Sequence, residues 1–290
     1  MTFGTWVGGA RLRTLPLAVA PVIAGTGAAS IVTRPELHWG MALLCLAVAV
    51  FLQIGVNYAN DYSDGIRGTD KHRVGPARLT AGGQVNPKSV LKLSFAFFGL
   101  AAVAGLVITI LTQQWWLIAV GAVCIVAAWF YTGGKRPYGY NAMGELFVFV
   151  FFGLVATLGT AWVQAEQITQ ESWVSAIAIG LLACAVLLAN NLRDIDQDRL
   201  VGKRTLSVLI GKLGTKILFT LFVLIPALLG VWLALFYPIA WLSLLALLAG
   251  LPAIIIVWTF KVPRELIIAL SLTSLMSLLY AGALLWAFAG

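Results

Sequence analysis

The chain is 290 residues long, with 61% apolar residues, 10% charged residues and a formal net charge of +8. Soluble domains carry about 25% charged residues, so this composition excludes a water-soluble globule and describes a polytopic membrane protein. The positive charge would suit a nucleic-acid partner, but the placement of the basic residues along the chain removes that reading.

Runs of about 20 apolar residues mark transmembrane helices. Nine such runs occur, over residues 14–32, 40–60, 91–111, 114–132, 144–162, 172–192, 215–236, 238–259 and 265–287. A β-barrel would show short alternating segments instead. The expected fold is therefore all-α, with nine transmembrane helices around a central cytoplasm-facing cavity, in a single domain spanning residues 1–290. The opening stretch MTFGTWVGGARLRT lacks a charged-then-apolar signal with a cleavage site, so the first span is expected to be retained. Arg11 and Arg13 precede that span and either snorkel to headgroups or pair with a carboxylate on an aromatic substrate.

The second span runs into NYANDYSDGIRGTD, residues 57–70. At helical spacing Asn57, Asn60 or Asp61, and Asp64 share one face. The fourth span ends in YTGGKRPYGY, residues 131–140, where Lys135 and Arg136 are placed to grip phosphate oxygens. Tyr131 at that helix end would hydrogen-bond a leaving oxygen or shield a cation with its ring. Interfacial anchoring is the alternative for Tyr131, Tyr138 and Tyr140. The sixth span runs into NNLRDIDQDRLVGKRTL, residues 190–206, where Asn190, Asp194 and Asp198 share a face and Asp196 points elsewhere. These two stretches hold all six aspartates of the chain. Their recurrence four spans apart suggests a weak parallel duplication with a site between the halves. Cys45, Cys124 and Cys184 each fall inside a span and read as small apolar filler, while His38 and His72 lie in separate loops without metal-ligand spacing.

With the N-terminus in the cytoplasm, 18 of the 19 basic residues fall on the inner side and only Arg34 lies outside. This positive-inside bias sets the orientation, with the C-terminus outside, and Trp39, Trp115, Trp116, Trp162 and Trp173 fall near the outer helix ends. Insertion and anionic lipid account for the lysines and arginines. They do not account for the aspartates, because a carboxylate near hydrocarbon costs about 2.5–3.5 kcal/mol.

Clustered carboxylates need a cation. Arginines of the same loops forming an ion-pair network is one answer. Mg²⁺ is the other: it takes hard oxygen ligands and is held by one or two carboxylates together with substrate phosphates. Two acidic helix ends ringed by Lys and Arg would then bind a diphosphate through bridging metal. A secondary transporter is the rival class, but transporters place ionisable residues near the bilayer midplane, and here the acids sit at helix ends.

The residues resemble the UbiA-type intramembrane prenyltransferases over essentially the whole chain. The resemblance rests on RLRTLPLAVAPVIAGT (11–26), NYANDYSDGIRGTDKHRVGPARL (57–79), RPYGY (136–140), a Tyr-x-x-x-Lys element at Tyr131 and Lys135, and NNLRDIDQDRLVGKRTL (190–206). It implies a Mg²⁺-dependent membrane enzyme that ionises a polyprenyl diphosphate and passes the allylic cation to an aromatic ring. It points first to 1,4-dihydroxy-2-naphthoate as acceptor, with loss of carbon dioxide to give demethylmenaquinone. 4-Hydroxybenzoate, homogentisate and haem are the other acceptors in view. Carried onto this chain, the resemblance makes Asn57, Asp61, Asp64, Asp194 and Asp198 metal ligands. It gives Tyr131 and Lys135 catalytic roles beside the four aspartates. Asn57, Asn60, Lys135, Arg136, Arg67 and Lys203 form the diphosphate set, and Arg13, Asn191 and Tyr138 the acceptor set. Glu145 and Arg78 are assigned either to the site or to the inner-face loops. The chain departs from many relatives at Gly68, where they carry a further aspartate, which leaves Asp70 without a clear ligand role.

Overall fold

Hydrocarbon offers no hydrogen-bond partner to a backbone amide, so each apolar run closes its own ladder as a helix. The computed structural model describes residues 3–34, 36–68, 79–80, 82–83 and 85–290. Asp70, His72 and Arg78 lie outside the described residues. The helices are α1 (Phe3–Gly9), α2 (Pro16–Thr33), α3 (Trp39–Arg67), α4 (Pro87–Thr112), α5 (Leu117–Phe130), α6 (Gly144–Ala165), α7 (Gln170–Leu200), α8 (Leu206–Ala234), α9 (Pro238–Thr259) and α10 (Pro263–Ala289).

Among the described residues eight helices are long and apolar enough to cross a bilayer, namely all except α1 and α5. The run expected to span over 114–132 yields the 14-residue α5, about 21 Å at 1.5 Å per residue. Its two ends are spent on turns. Gln113 takes a left-handed backbone at φ 57°, Trp115 and Trp116 form the following turn, and Gly134 at φ 74° reverses the chain beyond Tyr131. The nine expected spans thus resolve into eight long helices and one short one at the edge of the bundle.

α3 and α7 do the opposite and outrun their apolar segments. α3 continues through its motif to Arg67, where Gly68 caps it with a left-handed backbone at φ 71°. α7 starts from a capping box between Thr169 and Ser172 and runs 31 residues through its motif to Leu200. Both acidic stretches are therefore carried on rigid helix.

The main core gathers α2, α7, α8, α9 and α10. Ile179, Leu182, Leu188 and Leu192 of α7 meet Phe219, Met276, Tyr280 and Leu284, all fully or nearly fully buried. α7 is the most enclosed of the spans. It approaches α6 through Gly153 and Gly180, and a Cβ on Gly153 would fall 2.6 Å from the Gly180 Cα. That close approach coincides with a π-helical stretch, Phe149–Val155. α4 packs on α3, with the Phe98 ring against Gly55 and the Ser94 hydroxyl donating to the Gly55 carbonyl at 2.9 Å. Between α3 on one side and α6 and α7 on the other lies the central cavity.

Candidate active site

The cavity holds about 380 Å³, and both acidic helices contribute to its wall. From α3 come Gln53, Asn57, Asn60 and Asp64, and from α7 come Asn190, Asn191, Asp194 and Asp198. Lys203, just past α7, shows how close the helix ends are. Its Nζ is 3.6 Å from Asp64 Oδ1 and 4.0 Å from Asp198 Oδ1. One ammonium thus faces carboxylates from both motifs.

Two further side chains complete this polar end. The Tyr140 hydroxyl donates to Asp64 Oδ1, and the Lys203 Nζ sits 4.4 Å from the centre of the Tyr140 ring. The ring is held because the Arg204 amide donates to the Tyr140 carbonyl at 2.9 Å, tying the 131–140 turn to the end of α7. Asp194 is gripped from its own helix: Arg193 donates from Nε to Oδ1 at 2.7 Å and from Nη2 to Oδ2 at 2.6 Å. The same guanidinium reaches Asn190 Oδ1 at 2.9 Å. Such bidentate, charge-assisted pairing fixes a buried carboxylate in one orientation. Asp196 points away, as its spacing requires, and pairs with exposed Lys212 at 2.8 Å.

Several expected site residues lie elsewhere. Asp61 is 1% exposed and absent from the cavity wall. Its Oδ2 accepts from the Leu79 amide and its Oδ1 from the Thr80 amide, both at 2.9 Å, so its carboxylate closes the loop after α3. At 100° per residue, Asp61 points about 80° from the middle of the Gln53–Asn60–Asp64 face. Lys135 and Arg136 are exposed in their turn and do not reach the cavity wall. Arg67 is also outside the wall. Its guanidinium donates to the carbonyls of Thr132 and Gly134 and lies 5.4 Å from the Tyr140 ring, so it braces the turn. Arg13 is exposed, and its neighbour Arg11 lines the cavity, with Nη2 3.4 Å from the Asn57 carbonyl. A left-handed backbone at Arg11, φ 51°, turns the chain so that residue 11 and not 13 faces inward.

The other expected residues line the wall. The Asn57 Nδ2 donates to the Ala10 carbonyl at 2.8 Å and to Thr14 Oγ1 at 3.1 Å. Asn60 Oδ1 accepts from Thr132 at 2.6 Å. Asn191 donates to the buried Glu145 carboxylate at 2.9 Å, which places Glu145 behind the wall. Tyr131 and Tyr138 both border the cavity, the Tyr138 hydroxyl donating to the Ala127 carbonyl at 2.8 Å. Loss of solvent raises both phenols above the ordinary tyrosine range, and the Glu145 carboxylate adds to the rise at Tyr131. Both stay protonated at neutral pH.

The sequence reading set Arg11 beside Arg13 as a partner for an acceptor carboxylate but carried only Arg13 into the acceptor set; it gave Tyr140 no site role and missed Arg193 and Thr205. Thr205 lines the polar end, and its buried hydroxyl has no partner among the described residues. All four carried a usable signal, each lying inside a motif already singled out.

Below this end the wall turns apolar and aromatic. Tyr131 meets Tyr138 edge to face at 5.5 Å, Tyr138 stacks on Phe147 at 4.0 Å, and Phe147 stacks toward Phe151 at 6.0 Å. The cavity then continues past Ile108, Leu117, Gly121 and Cys124 to Cys45. From Asp64 to Cys45 along α3 is about 28 Å of helix. One end of the cavity suits a multiply charged head and the remainder a long hydrocarbon.

Residues 18–266 match the model of the UbiA prenyltransferase family. The chain is 50% identical to the 1,4-dihydroxy-2-naphthoate octaprenyltransferase of Mycobacterium tuberculosis, across 99% of this chain and 98% of that protein. Its fold is similar to the apo structure of a UbiA homolog from Aeropyrum pernix K1, with a TM-score of 0.69 at 18% identity, covering 90% of this chain and 94% of that one. A UbiA homolog from Archaeoglobus fulgidus bound to GPP and Mg²⁺ gives a TM-score of 0.66 at 15% identity, covering 99% and 100% of the two chains.

Proposed function

This chain belongs to the UbiA prenyltransferase family, and from that premise we propose that it transfers a polyprenyl group from polyprenyl diphosphate to 1,4-dihydroxy-2-naphthoate, releasing diphosphate and carbon dioxide and giving the quinol form of demethylmenaquinone. The M. tuberculosis relative, half identical over nearly its full length, bears that acceptor in its name. The observation that carries the reading is a single cavity that joins convergent carboxylates and a lysine to a long apolar channel.

Mg²⁺ fits the donor set. It prefers carboxylate oxygens supplemented by substrate phosphates over an all-protein cage. Among the described residues no group of three or more His, Cys, Asp or Glu gathers into such a cage. Asp64 and Asp198 instead approach one cation position, where the Lys203 ammonium stands. Asp64, Asp194 and Asp198 would hold the ion through carboxylate oxygens. When bound, it supplies Lewis-acid stabilisation of the charge that grows on the departing diphosphate.

The remaining work falls to the chain. Lys203 offers a donor for a diphosphate oxygen, and the Thr205 hydroxyl, buried and unpartnered, is a second. Tyr140 fixes where the Lys203 ammonium sits. As the bond between the allylic carbon and the diphosphate oxygen breaks, the electron pair leaves with the diphosphate. The resulting cation lies against the π-faces of Tyr138, Phe147 and Phe151, in an apolar space that excludes water. The electron-rich acceptor ring then forms the new carbon–carbon bond, and loss of carbon dioxide returns an electron pair to the ring. Arg11, on the wall beside Asn57, is the residue suited to the acceptor carboxylate before that loss. The polar end faces the cytoplasm in this reading, from the bias of 18 of 19 basic residues to that side.

Incubating the purified protein with Mg²⁺, one labelled prenyl diphosphate and each candidate acceptor tests this directly. Labelled lipid product with 1,4-dihydroxy-2-naphthoate, together with stoichiometric carbon dioxide, is expected. Product only with 4-hydroxybenzoate, homogentisate or haem would overturn the acceptor.

A further inference from the structure

We propose that Gln53 is a binding residue for the aromatic acceptor, its side-chain carbonyl receiving a hydrogen bond from a ring hydroxyl. This rests on the acceptor proposed above and adds a contact that sets its specificity.

Gln53 lines the cavity one helical turn deeper than Asn57 and is 6% exposed. Its Nε2 donates to Thr14 Oγ1 at 3.0 Å. The Thr14 hydroxyl hydrogen is itself directed to the Arg11 carbonyl, at 2.9 Å. The Thr14 oxygen therefore only accepts, from Gln53 and from Asn57 Nδ2 at 3.1 Å. This fixes which way round the Gln53 amide lies. Nitrogen must face Thr14, so oxygen must face away from it. That oxygen, Oε1, is buried and has no hydrogen-bond partner among the described residues.

A buried carbonyl without a donor is a costly group to keep, and native structures rarely keep one without a role. Its chemistry selects the ligand. A carbonyl oxygen repels an ionised diphosphate or carboxylate and gains nothing from a hydrocarbon tail. It needs an O–H or N–H donor. Of the two proposed substrates only the acceptor carries one, as a phenolic hydroxyl. The same segment supplies the complement for the acceptor's anionic group, because Arg11 reaches the Asn57 carbonyl at 3.4 Å. Thr14 and Asn57 thus link a guanidinium and an acceptor oxygen on one stretch of wall, which matches a ring bearing both a carboxylate and a hydroxyl.

The test uses the full-length protein in detergent with Mg²⁺ and a labelled prenyl diphosphate. The Michaelis constant for 1,4-dihydroxy-2-naphthoate is compared with the competitive inhibition constants of 1-hydroxy-2-naphthoate and 4-hydroxy-2-naphthoate. The wild type should bind one of the monohydroxy compounds roughly tenfold to hundredfold more weakly than the dihydroxy substrate. Gln53→Met, similar in volume but without the carbonyl, should raise the Michaelis constant of the dihydroxy substrate by a similar factor. It should leave the inhibition constant of the weak analogue and the Michaelis constant of the donor unchanged. Equal binding of all three compounds by the wild type overturns the role of Gln53 without requiring any variant to fold. So does a Gln53→Met effect shared equally by substrate and analogues, the result expected if Gln53 only holds Thr14 or a trapped water. Absence of turnover of 1,4-dihydroxy-2-naphthoate by the wild type overturns the acceptor assignment itself.

Discussion

Asp61 and Asp64 stand three residues apart on one helix and do different things. Both oxygens of Asp61 are taken by backbone amides, whereas Asp64 faces the cavity between Tyr140 and Lys203. Asp64→Asn should lower kcat/KM by about 100-fold or more and raise the Mg²⁺ concentration for half-maximal activity. Asp61→Asn keeps one acceptor oxygen. It should lower thermal stability while leaving that Mg²⁺ concentration unchanged, and a matching Mg²⁺ shift in both variants would return Asp61 to the metal site. Lys203→Met should raise the donor Michaelis constant roughly 10- to 100-fold, from loss of one charge-assisted hydrogen bond; an unchanged donor constant would remove Lys203 from the diphosphate site. That Asn57 and Asp64 share a face was legible from helical spacing, which left Asn60 and Asp61 as alternatives between them. The inward turn of Arg11 was not, because neither its left-handed backbone nor the exposure of Arg13 has a sequence signature.

At the scale of elements, what matters is which helices carry the motifs rigidly and which approach closely. α3 and α7 extend beyond their apolar runs, so the carboxylates stand on helix and not on loop. The turn over 131–140 is then latched to them by the Tyr140 carbonyl, the Tyr140 hydroxyl and the Arg67 guanidinium. α6 reaches α7 through paired glycines. Gly153→Ala would put a Cβ 2.6 Å from the Gly180 Cα and 2.8 Å from the Ala176 carbonyl, both backbone atoms that cannot swing away. It should cost about 1–3 kcal/mol, read as a lower unfolding temperature in detergent. It should also reduce activity, because Phe147 and Phe151 ride on α6. Retained stability in Gly153→Ala would show that α6 yields freely. Hydropathy placed the spans but not their full lengths: α3, α7 and α8 run seven to nine residues past their apolar segments at one end, and at α5 a left-handed Gln113 and a glycine turn shorten the helix.

For the whole molecule, the two helix ends that hold every described aspartate meet at one cavity on one side of the bundle. The proposed orientation puts that side in the cytoplasm. On a background with the native cysteines replaced, Lys261→Cys should react with a membrane-impermeant maleimide only in inverted vesicles, and Glu36→Cys only in right-side-out cells; the reverse pattern would invert the topology. The sequence by itself determined that the chain crosses the membrane, roughly where its apolar helices lie, and that two aspartate clusters occur at corresponding helix ends. Those properties are local, set by side-chain hydropathy and by the 3.6-residue period. Only the tertiary structure decided that both clusters share one ammonium, that Asp61 serves a loop, that Lys135 and Arg136 stay in solvent, and that Arg11 and Gln53 enter the cavity wall. Those facts depend on how helices distant in sequence pack together and on backbone turns of one or two residues; periodicity along the chain groups residues on a face but does not say what that face meets.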